Sequence, residues 1–380
     1  MLKKNICVVT WLGSINYGTC LQSYALNKVL KDEGYNPYMI ENYRFCCGLR
    51  HPVFTIKEIL KKLKEKTKKG DEIHLLSDPM FAERVKSNTE FQYANIQIVN
   101  PKNKKVFKSL FKKTACFVSG SDQIWNPTYL SEVFLLFFCK KNKRMAYSSS
   151  FGTNSIPKQK KRIYVRNLKK YSRVGVREET GLRLIDSLFP FKFKKQVVLD
   201  PVMLVSKNSW VSLEKVPHYD TDLTGKKFIF CYLVGNSTNY DKDINKYLLQ
   251  NDLKAVVVLS ESGTRHNFGR NLAYPSIGEF IWLVNHSVSI ITDSFHLTAL
   301  SIIFNKNFIV LKRFKDGDRQ SQNSRLVDLL KEFNLTQKIF NAYSDFEELD
   351  KSYDFNEVNM LLDAKKQESL SFLKNGIDDD

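Results

Sequence analysis

The residues with the most chemical potential in this sequence sit where polar groups interrupt an apolar segment. The clearest case is ITDSFHLTALS, residues 291–301. Asp293 or Ser294 caps a helix that begins here, and His296 falls in its first turn. A helix N-terminus disfavours an imidazolium, whereas a bound dianion favours it, so a histidine in this place gains a proton when an anionic substrate arrives. Asp293 and Asp122 are the candidate bases. Arg177 lies in RVGVREE, just past a strand end, where a helix dipole opposes a cation; gripping carboxylate or phosphate would explain it. Pairing with Glu178, Glu179 or Asp200 is the structural alternative. Lys312, Arg313 and Lys315 follow another strand and Arg325 opens the next helix, which places these cations at the same sheet edge as His296. Solvated surface charge is the alternative for the two lysines.

Two further turns carry small and polar residues directly after apolar strands. GSINYG, residues 13–18, has the make-up of an anion cradle or of a tight structural turn, but not the spacing of a nucleotide-binding glycine motif. Asn16 is its candidate contact. In VSGSDQIWNP, residues 118–127, Asp122 is placed to take a proton or hold a hydroxyl and Trp125 to stack on a sugar ring; a helix cap and a core tryptophan are the alternatives.

The elements that must position these residues follow from apolar periodicity. Residues 5–10, a helix ended by Gly34, and residues 36–40 make a βαβ opening, the start of an open parallel sheet. Further strands are expected at 115–119, 144–149, 173–176 and 196–199. After Asp200-Pro201 the rhythm restarts, with strands at 227–233, 255–259, 288–292 and 307–311 and helices at 240–250, 277–284, 294–304 and 324–333. The chain is therefore expected to be α/β, with two doubly wound domains at 1–200 and 201–344. A basic helical insertion at about 44–101 and a helical tail at 345–380 complete it. Facing units of this kind leave a cleft at their strand carboxyl ends.

Composition limits the partners. Lys and Arg number 59 against 40 Asp and Glu, a net +19, which favours anionic ligands, nucleic acid or an anionic bilayer. No helix-turn-helix, RNA-recognition or zinc-finger pattern accompanies the charge, so nucleic acid is not expected. Seven scattered cysteines with no metal-ligand spacing suit a reducing cytoplasm and predict no metal site. Apolar runs are too short to span a bilayer, so any membrane contact is expected to be peripheral, at its inner face.

Seven ordered blocks complete the reading: NYGTCLQSYAL from Asn16, SGSDQIWNP from Ser119, AYSSSFG from Ala146, VGVREETG from Val174, LDPVMLV from Leu199, ITDSFHLTALSIIF from Ile291 and SRLVDLL from Ser324. Together they resemble the polysaccharide pyruvyl transferase family over about residues 5–335. The resemblance implies a glycosyltransferase-B-like pair of Rossmann-like domains. It also implies transfer of pyruvate from phosphoenolpyruvate, a co-substrate, to two hydroxyls of a sugar or lipid-linked glycan as a cyclic ketal in cell-surface polysaccharide synthesis, with no cofactor required. It assigns Arg177, His296 and Arg325 to phosphoenolpyruvate and places Asn16 and Asp122 in matching blocks. Leu297 departs from the small residue usual after the motif histidine, and is expected to alter the acceptor pocket or a close backbone approach. A nucleotide-sugar glycosyltransferase of the same architecture is the alternative, since fold does not fix reaction.

Overall fold

The computed structural model describes residues 3–13, 16–41, 79–100, 102–140, 143–217, 223, 225–235, 237–260, 263–272, 274–314 and 322–378. Most of the expected insertion, Ser14 and Ile15 of the first turn, Lys315, Cys46 and Cys47 lie outside them.

Two parallel sheets carry the chain. The first is built from β1 (Asn5–Val9), β2 (Asn36–Ile40), β3 (Ile98–Val99), β4 (Thr114–Ser119), β5 (Arg144–Ser149), β6 (Arg173–Val176) and β7 (Lys194–Val197), in the order β3-β2-β1-β4-β5-β6-β7. The second contains β8 (Phe228–Tyr232), β9 (Lys254–Val258), β10 (Arg270–Leu272), β11 (Ser289–Thr292) and β12 (Asn307–Val310), in the order β10-β9-β8-β11-β12. In each sheet the order reverses beside the first strand, which is the doubly wound pattern that opens a crevice at the strand carboxyl ends. The protein is thus two Rossmann-like domains facing a cleft, in a glycosyltransferase-B-like arrangement.

Helices cover both faces of both sheets: α1 (Tyr17–Asp32), α2 (Pro79–Asn95), α3 (Lys104–Lys112), α4 (Lys158–Leu168), α5 (Glu179–Leu188), α6 (Pro201–Leu204), α7 (Lys207–Val211), α8 (Asp241–Gln250), α9 (Ile277–His286), α10 (Phe295–Ile303), α11 (Ser324–Glu332) and α12 (Asn356–Asp378). Strand alternation divides the core. Ile6 and Val8 of β1 and Phe228, Phe230 and Tyr232 of β8 enter one apolar cluster that runs through both domains. Cys7 and Val9 point to the outer face of the first sheet, and Ile229 and Cys231 to that of the second. Because side chains alternate with a period of two, each buried strand feeds two cores.

The described part of the expected insertion is not helical throughout. After α2, residues 98 and 99 join the first sheet beside β2, through Met39–Ile98 and Ile40–Val99 pairing. The expected tail contains α12, which returns to the first sheet: Ser369 Oγ accepts from the Leu199 amide, and Phe372 lies against Gly175 and under the Arg173 guanidinium, 5.4 Å from its ring centre.

Candidate active site

The carboxyl ends of the two sheets meet around a cleft of about 580 Å³ whose wall includes Asn16, Thr19, Asp122, Gln123, Ser294, His296, Arg313 and Arg325. Two helix N-termini open on it from opposite domains. Asn16 caps α1, its side chain accepting from the Thr19 amide at 3.3 Å, and Ser294 caps α10, accepting from the Leu297 amide at 3.4 Å. First-turn amides and aligned helix dipoles make such a place favourable to anions. Arg313 and Arg325 add two cations to the same wall.

The turn that carries His296 is fixed from behind. Thr292 Oγ1 donates to the Tyr232 carbonyl, and the Ser294 amide donates to Thr292 Oγ1. Asp293 accepts from the amides of Val234 and Gly235 at 2.6 and 2.9 Å and from Ser237 Oγ at 2.9 Å, while Arg313 Nε stands 3.4 Å from it. With no exposure and its oxygens engaged, Asp293 fastens the loop after β8 and holds Arg313. This corrects its expected role as a base. Arg313 also donates from Nε and Nη2 to the Asp293 carbonyl, which aims the guanidinium along the wall.

A buried polar cluster of the first domain lies under His296, which reaches it from the second. Arg177 Nη1 is 3.1 Å from Asp200 Oδ2 and 3.5 Å from Asp122 Oδ1, and Arg177 Nε is 3.6 Å from Glu178 Oε2. Its guanidinium stacks on the Phe295 ring at 4.1 Å. The Arg177 side chain is wholly buried and does not reach the cleft wall. The expected open anion clamp is therefore the centre of three carboxylates, the pairing with Glu178 and Asp200 that was its structural alternative, joined by Asp122 from another turn. Burial opposes its charge, but Asp122, Asp200 and Glu178 outweigh this and hold its pKa above the ordinary value.

Asp200, which sequence reading considered only as a partner for Arg177, is the other centre of the cluster. It accepts from Ser121 Oγ at 2.8 Å and from the Val202 amide at 3.0 Å, and His296 Nε2 is 3.7 Å from its Oδ2. Burial pushes its pKa up, yet His296 and Arg177 hold the carboxyl well below the usual range. On the other side of the imidazole, a Cβ at position 18 would overlap His296 Nδ1, so only glycine lets α1 approach the ring.

Asp122 combines access with ionisation. It lines the cleft, its backbone has φ 73°, and Thr19 Oγ1 donates to its Oδ2 at 3.3 Å. Burial raises its pKa, but Arg177, His296 and Arg325 together carry it below the ordinary aspartate value. Glu178 shows the opposite balance: burial dominates the pull of Arg177 and of the Ser150 hydroxyl, and its pKa is raised. Arg325 is pushed down to about 9 by burial first and then by Arg177 and Arg313. A cation held at this disadvantage is relieved by an arriving anion. Gln123 reaches it across the cleft: with its carbonyl toward Arg325, the amide oxygen accepts from Nη1 and Nη2 at 2.7 and 2.9 Å.

Two expectations fail on packing. Trp125 is fully buried; its Nε1 donates to Ser119 Oγ and the Phe134 carbonyl at 3.1 Å, and its ring meets Phe151 and Tyr171 edge-on. It is a core residue with no face for a sugar. Leu297 is 1% exposed and belongs to the shared apolar core, so its departure from the family pattern affects packing behind the turn and not the cleft wall. The sequence pointed to Asp200 only as an ion-pair partner and did not single out Gly18, Thr19 or Gln123. Asp200 had a signal in Asp-Pro at a helix start, and Gly18 had one in its place beside Asn16.

Among the described residues, no group of three or more His, Cys, Asp or Glu side chains is arranged to hold a metal ion. No described helix is long and apolar enough to cross a membrane.

Comparison with curated proteins gives no match. Among solved structures, the chain is similar to a putative UDP-N-acetylglucosamine 2-epimerase from Listeria monocytogenes, with 9% identity over 97% of both chains and a TM-score of 0.49. It is also similar to the UDP-GlcNAc 2-epimerase from Neisseria meningitidis bound to UDP-GlcNAc, with 10% identity over 95% of this chain and 99% of the other and a TM-score of 0.47. Acinetobacter baumannii MurG gives 10% identity over 98% and 99%, with a TM-score of 0.42. The polysaccharide pyruvyl transferase family profile matches residues 16–313, most of the chain and all of the cleft but Trp11, Leu12, Gly13, Gln322 and Arg325, and the protein belongs to that family.

Proposed function

We propose that the protein transfers the pyruvyl group of phosphoenolpyruvate to two hydroxyls of a glycan sugar, free or lipid-linked, releasing inorganic phosphate. The observation that carries this reading is the convergence of two helix N-termini, Arg313, Arg325 and His296 on one cleft beside the ionised Asp122.

The reaction needs a proton at the methylene carbon, stabilisation of positive charge at the carbon bearing phosphate, and attack by two hydroxyls. Of the two hydroxyl protons, one is balanced by the new methyl group and the other by the departing phosphate. Phosphoenolpyruvate is bound through its carboxylate and phosphate by Arg313, Arg325 and the amides of α1 and α10. His296 delivers a proton or neutralises the phosphate, with Asp200 beneath it to hold the imidazole and stabilise its charged form. Asp122 takes the proton of an attacking hydroxyl. Its low pKa keeps it ionised and able to stabilise the developing cation electrostatically, although it makes the group a weaker base. Arg177 acts from below as a positioning residue for Asp122 and Asp200.

The test is incubation with phosphoenolpyruvate and a panel of aryl and lipid-linked glycosides, following phosphate release and the mass of the acceptor. The expected result is stoichiometric phosphate and ketal, both lost in His296→Ala. Consumption of a nucleotide sugar with phosphoenolpyruvate untouched would overturn the reading.

A further inference from the structure

Residues 102–195 contain 23 Lys and Arg against five Asp and Glu, a net +18 that nearly equals the charge of the whole chain, +19. Three of the arginines in this stretch, Arg144, Arg173 and Arg177, are buried, so the charge that reaches solvent is mostly lysine. It is gathered on one face. Phe107 and Phe111 of α3, Ile163 and Leu168 of α4, and Phe191 and Phe193 after α5 all pack on the same outer layer of the first sheet. Their helices consequently present their other sides together. Lys105, Lys108 and Lys112 are exposed on α3, and Lys158 and Arg162 on α4.

An apolar tip stands within this field. Phe189 is 40% exposed, meets Phe191 edge-on at 5.4 Å, and carries Lys169 Nζ over its ring at 4.6 Å. Phe191 stacks on Phe193 at 4.9 Å, and Lys192 and Lys194, both exposed, alternate with these rings along the chain.

We propose that this face docks the protein on an anionic lipid bilayer, with Phe189 entering the boundary between headgroups and acyl chains and the lysines facing lipid phosphates. Lysine is a point charge on a flexible stem, suited to a fluid layer of headgroups, and an aromatic tip has a favourable place at the interface. Sequence-specific nucleic-acid contacts instead favour arginine forks, and half of those in this stretch are turned inward. The face also extends to the cleft. Lys160 Nζ of α4 donates to the Pro127 carbonyl, and Tyr129, two residues on, lines the cleft. A membrane-held acceptor would thus be presented at the rim. That delivery rests on the proposed reaction, whereas the docking does not.

The experiment is flotation of the full-length protein with vesicles of phosphatidylcholine alone and with about 30% phosphatidylglycerol, at two salt concentrations, beside competition by duplex DNA. Binding is expected only to the anionic vesicles and to weaken at high salt. Each of Lys108→Gln, Arg162→Gln and Lys169→Gln is expected to weaken it about five-fold, near the effect of one basic residue at a charged surface. Phe189→Ser is expected to weaken it further at unchanged net charge, with phosphate release on a soluble acceptor unaltered. Equal binding to neutral vesicles, or no loss in the four variants with circular dichroism showing them folded, would overturn the proposal. So would DNA binding that is as tight and loses the same amount in each variant, since that marks a general polyanion site. Vesicle binding is read without turnover, so failure of the pyruvyl-transfer reading leaves this test standing.

Discussion

Asp200 accepts from Ser121, Arg177 and the Val202 amide and stands 3.7 Å from His296, so one buried carboxylate ties the hub to the cleft imidazole. Asp200→Asn keeps the shape and removes the charge. Turnover should fall about 100-fold, the scale of a misplaced catalytic group. The same change has a signature in stability. Asp122 and Asp200 have folded pKa values below the ordinary range, so the folded protein binds fewer protons than the unfolded chain. Their contribution is complete above the unfolded values near ~4 and is lost as pH falls through the folded ones. Glu178, raised by burial, acts in the opposite sense: its contribution is complete below its unfolded value and is lost as pH rises through the folded one. Removing the Asp200 carboxyl should flatten the acid side of the thermal midpoint between about pH 4.5 and 2.5. Parallel wild-type and variant curves would show that this carboxylate is not linked to folding.

At the level of elements, the sequence pattern located β2, β5 and β6 residue for residue, each a short segment set between stretches of helical period. It shifted β7, expected at 196–199 and observed at Lys194–Val197. That strand pairs with β6 through Lys194, Lys195 and Gln196, while the apolar Val198 and Leu199 continue past its end into the core. It missed β3 and β10, which have two and three residues and are too short to show a period. The His296 turn, Arg313 and Arg325 were legible because polar groups after an apolar strand stand out. The caging of Arg177 was legible only in part: Glu178 and Asp200 were named as possible partners, while the arrival of Asp122 depends on the fold. The docking of α12, where Gly376 lies close against Met145 and Arg173 of the first sheet, was not legible. Phe372 on this helix is 4% exposed, and Phe372→Ala should cost about 3–5 kcal/mol of stability in denaturant unfolding. A loss below about 1 kcal/mol, the level of an ordinary surface change, would show that α12 adds little to the fold.

At the scale of the whole molecule, the site exists only while the domains hold their relative placement. His296, Arg313 and Arg325 come from the second domain, and Asp122, Arg177 and Asp200 from the first and its final turn. The shared apolar cluster spans the junction, and polar contacts cross it as well. Tyr17 donates to the Pro275 carbonyl at 2.5 Å, and Arg84 of α2 lies over the Tyr17 ring at 4.0 Å while donating to the Leu259 carbonyl at 2.6 Å. On the far side of the cleft, Asp328 of α11 accepts from both the amide and the hydroxyl of Thr180 in α5 at 3.2 and 3.0 Å. Hydrogen bonds to a charged acceptor contribute about 1.5–3 kcal/mol, so Asp328→Ala should lower the unfolding free energy by about that amount. It should also raise the KM for phosphoenolpyruvate more than it lowers kcat, because a looser junction widens the gap between Gln123 and Arg325 before it disturbs the His296–Asp200 pair. Equal losses in both constants would instead place Asp328 in support of the His296–Asp200 pair itself, and an unchanged KM with intact stability would show that the apolar junction alone fixes the cleft.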